Sequence, residues 1–358
     1  MPTSTEPVFG FCINPVDEPG TDEDRLYQGA IEDARFGHAL GYQVAYCVEH
    51  HFSDYFPIPN PLMLFARIAA ECPGLGFGTM VLVTPWHQPV RLAEEIAMLS
   101  VVCEGPLHLG LGRGNGVREY GGFNVDMEES VDRYAETWEI LRLAMTGKPF
   151  TYDGQYLRVP TEITIHPKPH PERINFYGAI ANPDSAERIA SLGLAPMCNG
   201  FLPFDTQRAV MAAWDKKTRE MGRSTDVGRP VVVSIVMADS DDEAVVLARK
   251  YLPRFFRAAV KHYDVASNPY ASVEAFKAHT KMSENLTRLS NPDNLGPYID
   301  VTFVGSAETV RERVQEYLDC GFNNLMVMPS SPGIPQGLRH DWLERFAKEV
   351  APEFSSRF

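Results

Sequence analysis

Short apolar runs alternate along this chain with longer segments in which apolar residues recur at helical spacing. Residues 8–13 precede a segment at 22–40, where Leu26, Ala30 and Ala34 fall near one face and Gly41 follows as a stop. The order then repeats, with 43–48 before 61–72, 76–83 before 90–102, and 107–111 before 130–145. Residues 175–180, 194–198, 231–238 and 324–328 read as four later strands, each with a helical segment after it. Strict alternation of this kind requires parallel strands joined by crossovers, and eight such units can close on themselves. The expected fold is α/β, a (β/α)8 TIM barrel, with residues 1–358 forming a single domain. Two insertions stand out. Residues 150–171 follow the fourth strand, and their Tyr152-Asp153-Gly154-Gln155-Tyr156 reads as a hairpin turn; residues 262–300 follow the seventh and form either a candidate lid or a surface loop. The competing topology, an open doubly wound sheet, usually has a glycine-rich turn after its first strand, where this chain has prolines and acidic residues.

Composition narrows the function. The 47 acidic against 33 basic side chains give a net charge of -14, which opposes binding to nucleic acid or to an anionic membrane. No apolar run approaches membrane-spanning length, and residues 1–10 lack a signal-peptide pattern. Six scattered cysteines with no CxxC pair point to reduced, buried thiols and a cytoplasmic protein.

A barrel gathers the ends of its strands into one mouth, so the chemistry is sought there. Glu49-His50-His51-Phe52 follows the second strand, Thr84-Pro85-Trp86-His87 the third, Arg113-Gly114-Asn115-Gly116 the fourth, and Ala181-Asn182-Pro183-Asp184-Ser185 the fifth. Histidine titrates near neutrality, and an adjacent carboxylate can orient it. Asn182, Pro183 and Ser185 suit a helix start, which attracts anions, and Arg113 from the neighbouring strand can add the counter-charge for a phosphate. Ordinary helix capping satisfies the same pattern, and Gly305-Ser306 is a rival anion site. The glycines between Gly110 and Gly116 do not make GxGxxG, so no nicotinamide-binding fingerprint is present; they instead let a flat ligand approach the backbone. Adjacent His50 and His51 point to opposite faces of an extended chain, and neither HxH nor HExxH occurs. No resident metal is expected, although His87 and His108 leave a metal-dependent hydrolase as an alternative.

Taken in order, Glu49-His50-His51-Phe52, Gly78-Thr79-Met80-Val81, residues 89–95, residues 110–114 and residues 304–310 resemble the ordered motifs of the bacterial luciferase-like flavin monooxygenases over nearly the whole chain. The resemblance implies a barrel that binds reduced FMN (FMNH2), reacts it with O2 to a C4a-peroxide, and oxygenates a small apolar or carbonyl-containing substrate. It gives His50 the place of the catalytic histidine, with Glu49 supporting it. Arg113, Ala181, Asn182 and Ser185 match the phosphate cradle, Met80 and Val81 the pair joined by a non-prolyl cis peptide beneath the flavin, and Phe255 an aromatic residue near the ring. Gly112 lies in the cofactor-binding stretch and stands where light-emitting members have cysteine; Ser100, Pro106 and Val131 also depart from the pattern. Phe9, Phe52, Tyr55, Phe56, Trp86 and Phe255 are candidates for an apolar pocket. Also implied are a homodimer packed through helices near the second and third units, and a separate NAD(P)H:flavin reductase as partner. An F420-dependent hydride-transfer enzyme and a non-catalytic flavin-binding protein are the remaining alternatives.

Overall fold

The computed structural model describes residues 6–17, 20–264 and 277–358, without the side chains of 277–281. Its strands are β1 (Val8–Cys12), β2 (Val44–Cys47), β3 (Gly76–Val83), β4 (Leu107–Gly112), β5 (Phe150–Asp153), β6 (Arg158–Ile163), β7 (Ile174–Ala179), β8 (Ala195–Asn199), β9 (Pro230–Met237), β10 (Phe303–Gly305) and β11 (Asn324–Met328). Its helices are α1 (Glu23–Ala39), α2 (Pro61–Ala69), α3 (Pro89–Val102), α4 (Val117–Phe123), α5 (Ser130–Ala144), α6 (Pro183–Leu192), α7 (Phe204–Glu220), α8 (Asp241–Tyr263), α9 (Lys277–Leu289), α10 (Gly296–Ile299), α11 (Ala307–Asp319) and α12 (Gln336–Arg345).

Eight strands close in parallel in the order β1-β2-β3-β4-β7-β8-β9-β11, with β11 returning to β1. This is the (β/α)8 barrel expected from the alternation. Large and small residues interdigitate inside it: a Cβ at Gly10 or Gly78 would lie 2.7 or 2.0 Å from the Tyr46 ring, so glycine at both positions makes room for that tyrosine. Asn324 donates to the Tyr46 hydroxyl at 3.0 Å, and Tyr177 pairs with Nδ1 of His108 at 3.0 Å. All six cysteines are buried and free, and among the described residues no helix is long and apolar enough to cross a membrane.

The insertions fall where the sequence placed them. After β4 come α4, α5 and the antiparallel hairpin β5–β6, whose turn is held by the Glu136 carboxylate accepting the N–H groups of Gln155 and Leu157, each at 2.7 Å. Between β9 and β11 lie α8 to α11 and β10, a three-residue strand that pairs only with the end of β9 and that the sequence reading lacked. Within the candidate lid, residues 265–276 lie outside the described residues.

Candidate active site

The exits of β2, β3, β4 and β7 converge at the barrel mouth, and the alternation of an extended chain puts Glu49 and His51 on one face and His50 on the other. Glu49 is buried. Its Oε1 accepts from Nε2 of His51 at 3.0 Å and from Nε2 of His87 at 2.8 Å, and its Oε2 accepts the Val83 N–H at 2.7 Å. Burial raises the proton affinity of this carboxyl, but the His87 charge and the hydrogen bonds outweigh it and hold the pKa at about 2. His87 responds in the opposite sense: burial lowers its pKa, and Glu49 overcomes that and raises it. Glu49 therefore does not support His50, as the sequence had led us to expect; it holds His51 and His87 and braces the end of β3.

His50 turns to a second cluster. Its Nδ1 lies 3.6 Å from Oε1 of Glu119, the buried acid in the first turn of α4, and its ring meets Tyr55, His262 and Tyr263 at centroid distances of 4.9, 4.5 and 5.9 Å. Oε1 of Glu119 also accepts the backbone N–H of His51 at 2.7 Å. His262, at the end of α8, pairs through Nδ1 with the Ser53 hydroxyl at 2.7 Å, while burial, with the His50 charge adding, pushes its pKa down to about 2. Nδ1 of His50 and Nε2 of His262 are buried without a hydrogen-bond partner among the described residues. Glu119 and His262 escaped the sequence reading. The only local signal for Glu119 was an acid opening a helix directly after the glycine-rich exit of β4.

The Met80–Val81 peptide is cis and sits where the β3–β4 register shifts, between Thr79 and Leu82. Gly112 faces it closely: a Cβ there would lie 2.1 Å from Cγ2 of Val81, so any side chain at this position requires Val81 to move. Arg113 leaves β4 beside the β7 exit. Burial, reinforced by the nearby Arg188 of α6, lowers the proton affinity of its guanidinium, and the Tyr120 hydroxyl donates to its backbone carbonyl. At the start of α6, Asn182 and Ser185 form a capping box: Oδ1 of Asn182 accepts the Ser185 N–H at 2.9 Å, and the Ser185 hydroxyl oxygen accepts the N–H groups of Ala181 and Asn182 at 3.0 and 3.1 Å. Arg188, three residues beyond Ser185 and so on the same helical face, was missed in the sequence. The rival site at Gly305-Ser306 is filled by the protein itself: Asp241 accepts the Ser306 N–H at 2.7 Å and the Thr309 hydroxyl at 2.9 Å.

Aromatic side chains wall the mouth. Phe255 on α8 is buried against Tyr55, Phe56, Phe201 and Phe256, and His51, Trp86 and Phe123 pack together beside the half-exposed Phe52. Phe9 is not among them. It points out of the barrel against Phe346 and Phe358, because β1 sends alternate residues to opposite faces.

Compared with known families, residues 8–324 match the family described as luciferase-like monooxygenase. The chain belongs to that family. Among its relatives, the oxygenase component of a flavin-dependent trigonelline monooxygenase from Acinetobacter baylyi is 22% identical, over 93% of this chain and 91% of that one. The oxygenating constituent of 3,6-diketocamphane monooxygenase from Pseudomonas putida, a type II Baeyer-Villiger monooxygenase solved with FMN, superposes with a TM-score of 0.74 at 20% identity, over 98% and 99% of the two chains. An F420-dependent secondary alcohol dehydrogenase superposes equally well, with a TM-score of 0.76 at 13% identity over 98% and 100%. The luciferase-like fold thus serves both flavin and deazaflavin enzymes.

Proposed function

We propose that the protein is a two-component, FMNH2-dependent monooxygenase that uses O2 to oxygenate a small apolar or carbonyl-containing substrate. The observation that carries this reading is the approach of Arg113 and Arg188 beside the start of α6, in a chain of this family. A guanidinium that a second one nearby pushes toward losing its proton suits a doubly charged phosphate monoester, which would draw both. In this reading Arg113, Arg188, Asn182, Ser185 and the Ala181 backbone would hold the FMN phosphate, Met80, Val81 and Gly112 would contact its ring system, and Phe255 would contribute to the aromatic wall of the site. When bound, reduced FMN supplies two electrons to O2, so that one oxygen atom passes to substrate and the other leaves as water.

The protein's own residues do three things. The arginines and the helix start fix the cofactor by its phosphate. His50, held at the mouth by the Tyr55, His262 and Tyr263 rings, takes up and returns a proton at its imidazole. Phe52, Tyr55, Phe56, Trp86, Phe123 and Phe255 exclude water from the reacting atoms. The reading includes a homodimer, supported by the exposed apolar residues Met63 of α2 and Met98, Val101 and Val102 of α3, which a second copy would cover. The chain's sequence has no nicotinamide fingerprint, so the reduced flavin comes from a separate NAD(P)H:flavin reductase, in the cytoplasm.

The test is direct. Purified protein mixed with FMN is expected to leave NADPH unoxidised until a flavin reductase is added, and to bind FMN more tightly than F420. Rapid NADPH oxidation by the protein alone, or tighter binding of F420, contradicts the reading.

A further inference from the structure

His50, Glu119 and His262 come from three separate elements, the β2 exit, α4 and the end of α8, and each offers one ligand atom within 4.8 Å of the other two. Oε1 of Glu119 stands 3.6 Å from Nδ1 of His50 and 3.5 Å from Nε2 of His262. Both separations are too long for hydrogen bonds, which leaves two buried imidazole nitrogens facing a carboxylate without making one. The two separations from Glu119 approach a different geometry, with the two imidazole nitrogens within 4.8 Å of each other. Four ligands bound tetrahedrally to zinc at the usual 2.0–2.1 Å are separated from one another by about 3.4 Å.

We propose that His50, Glu119 and His262 form a binding site for a zinc-type divalent cation, with two imidazoles and one carboxylate as ligands and a fourth position open to water. The donor set is that of open zinc centres, where three protein ligands leave one place for an exchangeable molecule. The outer contacts are already present. Nδ1 of His262 is bonded to the Ser53 hydroxyl at 2.7 Å, which fixes the ring with Nε2 toward the site, and the ligating oxygen of Glu119 is steadied by the His51 N–H at 2.7 Å. The sequence hid this arrangement because its ligands share no local spacing. The adjacency of His50 and His51 argued against a metal held by that pair, and His51 goes to Glu49 instead; the second imidazole comes from His262, far away in the chain.

The cation site stands on geometry alone. Its consequence for turnover rests on the role of His50 proposed above: an ion that engages Nδ1 immobilises that imidazole, so zinc acts as an inhibitor.

Metal-free protein titrated with zinc chloride in a calorimeter is expected to show one site per chain, weakened at least 100-fold in His262→Gln and in Glu119→Gln. Far-UV circular dichroism establishes that each variant is folded. Cobalt chloride added to the wild-type protein reports the same site independently, through the intense visible absorption of four-coordinate Co(II). Zinc affinity equal in wild type and in a folded variant, or cobalt giving only the faint spectrum of the hydrated ion, overturns the site. Stoichiometric zinc binding without loss of oxygenase turnover upholds the site and overturns the assignment of His50.

Discussion

Oε2 of Glu49 accepts the backbone N–H of Val83 at 2.7 Å, tying the exit of β2 to the last residue of β3. The same carboxylate accepts from Nε2 of His51 and of His87, so its removal leaves an unsatisfied N–H at Val83 and two imidazoles without their buried acceptor. Glu49→Ala is expected to lower unfolding stability in urea by about 3–5 kcal/mol. Glu49→Gln, which keeps an acceptor, is expected to lose about 1–3 kcal/mol. Values within error of wild type for both variants would show that this carboxylate is not a structural tie.

The two arginines at the exit of β4 and on α6 make a prediction about cofactor discrimination. Arg113→Gln should weaken FMN binding by roughly 10- to 100-fold, the equivalent of one charge-assisted contact of about 1.5–3 kcal/mol. Riboflavin, which has no phosphate, should bind the variant and the wild type equally. Fluorescence quenching measures both ligands, and a parallel loss for riboflavin would mean that Arg113 shapes the site rather than holding the phosphate.

His108 supplies a pH dependence of stability. It is enclosed in the barrel beside Tyr46 and Tyr177, and burial pushes its pKa down to about 4. An unfolded histidine titrates near ~6.5. Between these values the unfolded chain binds a proton that the folded chain refuses, so this contribution is fully present above about pH 6.5 and is lost as the pH falls toward 4. The loss amounts to roughly 3 kcal/mol. Urea midpoints between pH 7.5 and 5 should fall more steeply for wild type than for His108→Gln, and equal slopes would contradict the assignment.

Much of the architecture was legible in the chain. The alternation of apolar runs and helical segments specified the closed barrel, because parallel strands leave few other ways to cover both faces of the sheet. Both insertions were readable from their polarity, and the Asn182–Ser185 capping box from its residue types. What stayed hidden is tertiary. Three residues of β10 carry no periodicity, and Asp241 occupies the rival anion site from a different helix. Glu119 and His262 meet His50 only because α4 and α8 pack over the mouth. The proximity of Glu49 and His50 in sequence was misleading for a local reason, since neighbours on an extended chain face apart.

The central claim is that this mouth holds reduced FMN and controls its reaction with O2 through His50. Protein loaded with FMNH2 and mixed with oxygenated buffer in a stopped-flow spectrometer, with His50→Ala alongside, tests it most directly. The account predicts a transient absorbance distinct from both reduced and oxidised flavin in the wild-type protein, and a shorter-lived or absent transient with more hydrogen peroxide in the variant. Flavin reoxidising as fast as it does free in solution, identically in the two proteins, would contradict it.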